Sequence, residues 1–225
     1  MSRLIVHSFT ISLDGYGAGP GQSLEAPLGE GGERLHEWLV GTRFFMRMTG
    51  RGGGTMGRDN ETAERGMAGV GAFILGRNMF GPVRGPWLDG TWRGWWGDDP
   101  PYHAPTFVLT HHPRAPLEME GGTTFHFVTD GIRAALDRAR AAAGGKDVRL
   151  LGGAATIRQY LMAGLVDELH LAVSPCLLGA GASLFAGLDL ASLGYRQVSC
   201  TAGERAVFYS IARDQSGVSR PGGHW

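Results

Sequence analysis

Cysteine is nearly absent from this chain: Cys176 and Cys200 are the only two in 225 residues. Two thiols are too few for a disulfide scaffold or a thiolate metal site, and they fit a reduced, cytoplasmic setting. Net charge is missing as well, since Lys plus Arg and Asp plus Glu both total 21. The absence of excess positive charge argues against general nucleic-acid or acidic-membrane binding, which needs a basic surface. The lack of net repulsion favours self-association. No apolar run approaches a bilayer span, and Met1-Ser2-Arg3-Leu4-Ile5-Val6 reads as strand rather than as the apolar centre of a signal peptide. Glycine, by contrast, is plentiful at 38 residues and shows no repeat period, which signals many turns.

The most informative stretch is Leu150 to Leu161. An apolar strand, Val148 to Leu151, runs into Gly152-Gly153 and then into a helix. Glycine lets a second backbone or a ligand come close. The helix start offers unpaired N–H groups and the positive end of a dipole, which suits an anion such as a nucleotide phosphate. Gly152, Gly153, Ala154, Ala155 and Thr156 are therefore the candidate pyrophosphate loop. A tight structural turn is the plain alternative, because the stretch is not a G-x-G-x-x-G fingerprint.

Other elements follow from pattern. Leu4 to Leu13 reads as a buried strand ended by Asp14-Gly15, and Glu33 to Met48 has a helical pattern. Asp59 is a plausible N-cap for a short helix. Strands are expected at Ala72–Leu75, Thr106–Leu109, Phe125–Val128, Val148–Leu151 and Glu168–Val173, with a closing hairpin at Val198 and Ala206–Ile211. Helices fall at Ile132–Ala143 and Ala154–Ala163, stopped by Gly144-Gly145 and Gly164. Strands alternating with helices, then strands alone, indicate an α/β fold: a mostly parallel sheet with flanking helices and antiparallel C-terminal strands. No stretch looks like a linker, so residues 1–213 are expected to form a single domain. The polar residues 214–225 are expected to be a disordered tail.

Four motifs in order give the chain a family likeness: Thr10-Ile11-Ser12-Leu13-Asp14-Gly15, Ile74-Leu75-Gly76-Arg77-Asn78-Met79-Phe80, Val108-Leu109-Thr110-His111-His112-Pro113, and Leu151-Gly152-Gly153-Ala154 followed by Val166-Asp167-Glu168-Leu169-His170-Leu171. Together they resemble the dihydrofolate reductase-like family that includes the reductase domain of bacterial riboflavin biosynthesis. The resemblance covers roughly Leu4 to Ile211. It implies a mixed sheet of about eight strands and an NADPH site across the carboxyl ends of the strands, where open α/β sheets place ligands. It implies hydride transfer to a small planar heterocycle, imine or carbonyl compound, and a homodimer.

Under that resemblance each residue has a role to set beside a bland one. Gly76, Arg77 and Asn78 meet the cofactor, with the permanently charged Arg77 fork on phosphate; otherwise Arg77 is a solvent-facing turn residue. Thr110, His111 and His112 meet the ribose phosphate, where the family usually has small hydroxylic residues; Arg114 could add charge. Ile11 and Ser12 lie against the nicotinamide. Asp14 supplies or relays the proton that complements the hydride, or else is ordinary Asp-Gly turn chemistry. Trp38 and Phe80 flank a planar substrate. Among Trp87, Trp92, Trp95 and Trp96, at least two are expected in the core. Two alternatives remain: an NADP(H)-binding protein without turnover, and a metal-dependent enzyme built on His103, His111 and His112. No resident metal is assigned on the main reading.

Overall fold

The computed structural model describes residues 2–81, 85–87 and 91–214. In chain order the strands are β1 (Leu4–Ser12), β2 (Val70–Gly76), β3 (Pro105–Leu109), β4 (Leu117–Glu118), β5 (Thr124–Val128), β6 (Asp147–Gly152), β7 (Glu168–Ser174), β8 (Tyr195–Ala202) and β9 (Val207–Arg213). The helices are α1 (Glu37–Val40), α2 (Arg43–Met48), α3 (Arg58–Arg65), α4 (Arg77–Phe80), α5 (Gly131–Ala142) and α6 (Ala154–Met162). Among the described residues the nine strands form one sheet in the order β4-β5-β3-β2-β6-β1-β7-β9-β8. The block from β5 to β7 is parallel, while β4 and β9 run against their neighbours. The ninth strand beyond the expected eight is β4, whose two residues are too short to show a period of two.

Alternation builds the two faces. Leu4 and Val6 of β1, with Val148 and Leu150 of β6, point to one side and bury completely against Leu136 of α5 and Ile157, Tyr160 and Leu161 of α6. The opposite face is covered in two patches. Trp38 packs with Ala63, Ala172 and Phe208 in one, and Phe80 packs with Val108, Phe125 and Trp87 in the other. Trp87 and Trp92 belong to that second cluster, whereas Trp96 is 42% exposed.

Two local expectations need correction. The helical stretch Glu33–Met48 is broken into a 3-10 turn at Gly32–His36, then α1 and α2. Thr42 causes the second break: its backbone is extended (φ −75°, ψ 152°), and its hydroxyl accepts the Phe45 N–H to start α2 anew. Asp59 is not an N-cap. α3 begins at Arg58 after Gly57, whose φ of +133° favours glycine. Its free amides at Arg58 and Asp59 are capped by the Glu204 carboxylate, each at 2.9 Å. Asp59 is buried inside the helix and returns the favour, accepting Glu204 N and Arg205 N at 3.2 and 3.0 Å. Burial and the nearby Glu204 push Asp59's pKa up, while the amide bonds pull Glu204's down.

Among the described residues no helix is long and apolar enough to cross a membrane. Residues 215–225 of the expected tail lie outside the described residues.

Candidate functional site

Because β5, β3, β2, β6, β1 and β7 are parallel, their carboxyl ends share one edge of the sheet. The end of β2 closely approaches the start of α6 on that edge. A Cβ on Gly76 would sit 2.3 Å from Thr156 Oγ1, so a side chain there would push against the first turn of α6. Gly152 has φ +140°, and a Cβ there would meet the Phe9 ring at 2.9 Å. Gly153 differs in kind: its φ is −78°, and a Cβ there would meet no heavy atom within 4 Å. The peptide joining the two glycines is cis. Gly153 O accepts the amides of Thr156 and Ile157, each at 3.0 Å. The earlier amides of α6 have no acceptor within their own helix, as at any helix start. Ala154 is buried, Ala155 exposed and Thr156 half-buried.

Next to this turn stands a cationic, aromatic cluster. The Arg77 guanidinium lies 3.6 Å from the centre of the Trp87 ring, with Arg114 5.0 Å from the same ring. Arg77 Nη1 donates to Gly81 O at 3.3 Å, its Nε is buried without a hydrogen-bond partner, and no carboxylate pairs with it among the described residues. Burial and the like charge of Arg114, which shares the Trp87 ring, push its pKa down. Trp87 Nε1 donates to His112 O at 3.0 Å, tying the β3 turn to the cluster. Within that turn Thr110 is buried and its Oγ1 accepts the His112 N–H at 3.1 Å, while His111 is exposed. Asn78 is half-buried in α4. The structure thus brings Gly76, Arg77, Thr110, His112 and the Gly152–Thr156 turn to one part of the edge. Trp87 is the platform among them, a role that only the folded chain reveals.

β1 ends at the same edge, beyond β6. The side chains of Ile11 and Ser12 are buried. Ser12 Oγ donates to Asp14 Oδ1 at 2.5 Å and accepts Tyr16 N at 3.0 Å. Asp14 also accepts the amides of Leu178 and Gly179 at 3.2 and 2.7 Å. The Ser12 hydroxyl, helped by those two amides, holds the exposed Asp14 carboxyl below its ordinary range. A carboxylate held ionised by three donors is chemically suited to clamping a loop and ill suited to giving up a proton. Trp38 and Phe80 are 1% and 2% exposed and sit in separate clusters, Trp38 donating to Thr10 Oγ1 at 3.1 Å. Neither offers a ring face to a ligand in this conformation.

One residue at this edge escaped the sequence reading. His36 ends the 3-10 turn that packs on β1 and β7, next to the bond from Ser174 Oγ to Arg34 O (3.1 Å). Its Nδ1 is buried without a partner, and burial pushes its pKa down. No sequence pattern marks it.

The three histidines weighed for a metal do not converge. His103 Nδ1 bonds Gly121 O at 2.8 Å, and among the described residues no three His, Cys, Asp or Glu side chains are grouped to hold an ion.

The sequence profile of the RibD C-terminal domain family matches residues 3–209. A solved protein assigned to riboflavin biosynthesis in Shewanella sp. PV-4 is 20% identical, with a TM-score of 0.54 over 96% of this chain and 100% of that one. A diaminohydroxyphosphoribosylaminopyrimidine deaminase/5-amino-6-(5-phosphoribosylamino)uracil reductase from Thermotoga maritima is 12% identical, with a TM-score of 0.56 over 95% of this chain and 57% of that one. At such identities the likeness is one of fold. No curated protein sequence matches this one.

Proposed function

The chain belongs to the RibD C-terminal domain family, and from that premise we propose that it is a reductase that uses NADPH to reduce a small planar heterocycle, imine or carbonyl compound. The observation that carries the reading is the pairing of two anion-seeking features on one sheet edge. One is the Gly152-Gly153 turn that opens α6, where a Cβ on Gly153 would project into open space. The other is Arg77 on Trp87, with a buried Nε that lacks a partner. A pyrophosphate fits the first. A ribose 2′-phosphate fits the second, with Thr110, His111, His112 and Arg114 beside it.

When bound, the nicotinamide would supply the hydride. The chain supplies position. Gly152 to Thr156 form the phosphate turn, in which the first amides of α6, at Ala154 and Ala155, hold the phosphate, while Gly76 and Asn78 shape the neighbouring turn. Ile11 and Ser12 form the floor at the end of β1. Asp14 serves that floor by tying Ser12 at the end of β1 to the loop at Leu178 and Gly179. Orientation and exclusion of water then carry most of the rate. The same reading includes a homodimer, supported by the zero net charge, and sedimentation at micromolar concentration tests it.

Titration of the purified chain with NADPH, NADH and FAD tests the cofactor. Micromolar NADPH affinity, with NADH weaker, is expected, and NADPH oxidation then screens substrates. Absence of binding by all three refutes the reading.

A further inference from the structure

A polar cavity lies away from the carboxyl edge, beside α3. It measures about 430 Å³ and is walled by the first halves of β1, β6 and β7, by parts of β8 and β9, and by one side of α3 from Arg58, which pairs with Glu61 at 3.4 Å, to Arg65. Its charges do not balance. Both acids on its wall, Asp147 and Glu168, are engaged by Arg3 at 2.6 and 2.5 Å. Glu168 also meets His170 Nε2 at 3.0 Å. Arg149 is half-buried and donates to the carbonyls of Gly66 and His7, at 2.8 and 2.9 Å, while its buried Nε has no partner. Arg65 donates to Thr62 Oγ1 at 3.3 Å. Among the described residues neither of these two cations has a carboxylate partner. Arg65 is exposed on this wall and Arg149 half-buried, and two guanidinium groups without a carboxylate partner on a concave wall draw an anion into the space beside them.

The imidazoles respond to the same imbalance. His7 and His170 stack at 4.8 Å across β1 and β7. Burial first, then Arg149, His170 and Arg65, push the His7 pKa down to about 3. The hydroxyls of Ser199, Thr201 and Ser210 supply further hydrogen-bonding groups to the wall.

We propose that this cavity binds a small metabolite through an oxyanion, a phosphate or a carboxylate, placed against Arg65, His7 and His170. The volume has room for more than the anion itself, and the hydroxyl-bearing wall of β8 and β9 suits a polar body. This assignment is independent of the NADPH reading and stands or falls without it.

The test uses the full chain and inorganic phosphate, titrated at fixed ionic strength against chloride, with succinate as the carboxylate arm. Melting temperature and the imidazole NMR signals are the readouts. A saturable rise in melting temperature, with shifts in the His7 and His170 signals, is expected. The arm that binds tighter identifies the oxyanion. Arg65→Gln should weaken binding by about fivefold, the effect of losing one partly exposed charge pair. Arg77→Ala serves as control for phosphate held at the carboxyl edge and should leave this binding unchanged. Binding lost in Arg77→Ala but kept in Arg65→Gln overturns the proposal. So does the absence of any imidazole shift with either anion, including the case where sedimentation shows a second copy covering the cavity.

Discussion

Gly152 and Gly153 are adjacent and should fail in opposite ways. At Gly153 the backbone conformation (φ −78°, ψ −171°) is open to other residues, and a Cβ meets nothing within 4 Å. Gly153→Val should therefore change stability by no more than about 0.5 kcal/mol, or about 2 °C in melting temperature. Its methyl groups would fill the space through which a phosphate reaches the α6 amides. Loss of two charge-assisted hydrogen bonds, at about 1.5 kcal/mol each, comes to about 3 kcal/mol, or about 100-fold in NADPH affinity. Gly152→Ala reverses the pattern. Its φ of +140° disfavours any side chain, and the new Cβ lies 2.9 Å from Phe9. Backbone strain of about 1–3 kcal/mol and crowding of similar size should lower the melting temperature by about 5–15 °C. Thermal unfolding and NADPH titration by intrinsic fluorescence, run on both variants, make the comparison. A folded Gly153→Val chain that binds NADPH within twofold of the parent would refute the loop assignment.

Three further outcomes are expected. Arg77→Ala should cost about 1.5–3 kcal/mol of NADPH affinity while shifting NADH by less than about threefold, since only NADPH carries the 2′-phosphate; equal losses would move Arg77 to the pyrophosphate. Asp14→Asn should lower the melting temperature yet keep kcat within about tenfold, because the carboxylate acts as a clamp; a fall of about 100-fold or more would restore it as the proton donor. His7 titrates near 6.5 when unfolded and at about 3 when folded, so the native state binds fewer protons. The stability that depends on its neutrality is present above pH 6.5 and drains away as pH falls toward 3, by at most about 1.6 kcal/mol between pH 6.5 and 5. His36 adds in the same direction. Denaturant titrations of parent and His7→Gln should show a flatter pH dependence in the variant, and an unchanged slope would locate the effect elsewhere.

What the sequence made legible was local. The turn from β6 into α6 could be read because strand, glycines and helix are contiguous, and Arg77 could be read because it directly follows a strand end. The α3 cap could not, since Glu204 lies 145 residues from the Asp59 amide it holds. Nor could the roles of Trp87 and of Arg149, which depend on strands placed side by side. The helical period across Glu33–Met48 concealed Thr42, whose hydroxyl competes for the backbone. The fold class survived such misses because alternation and turn residues act over short distances, whereas most of the candidate edge is assembled from separate strands.

β1 is the first strand of this sheet to be made and among the last to be paired. Its two neighbours are β6 and β7, with Leu4 matched to Val148 and Ile5 to Glu168. At about 5–20 residues per second of synthesis, an apolar strand waits on the order of ten seconds for partners. β2 gives it no interim shelter, because β6 lies between them in the sheet. An N-terminal fragment ending before Asp147 would hold β1 with neither of its edges matched. Folding of this chain should thus be slow, dominated by long-range closure, and tied to completion of the C-terminal third.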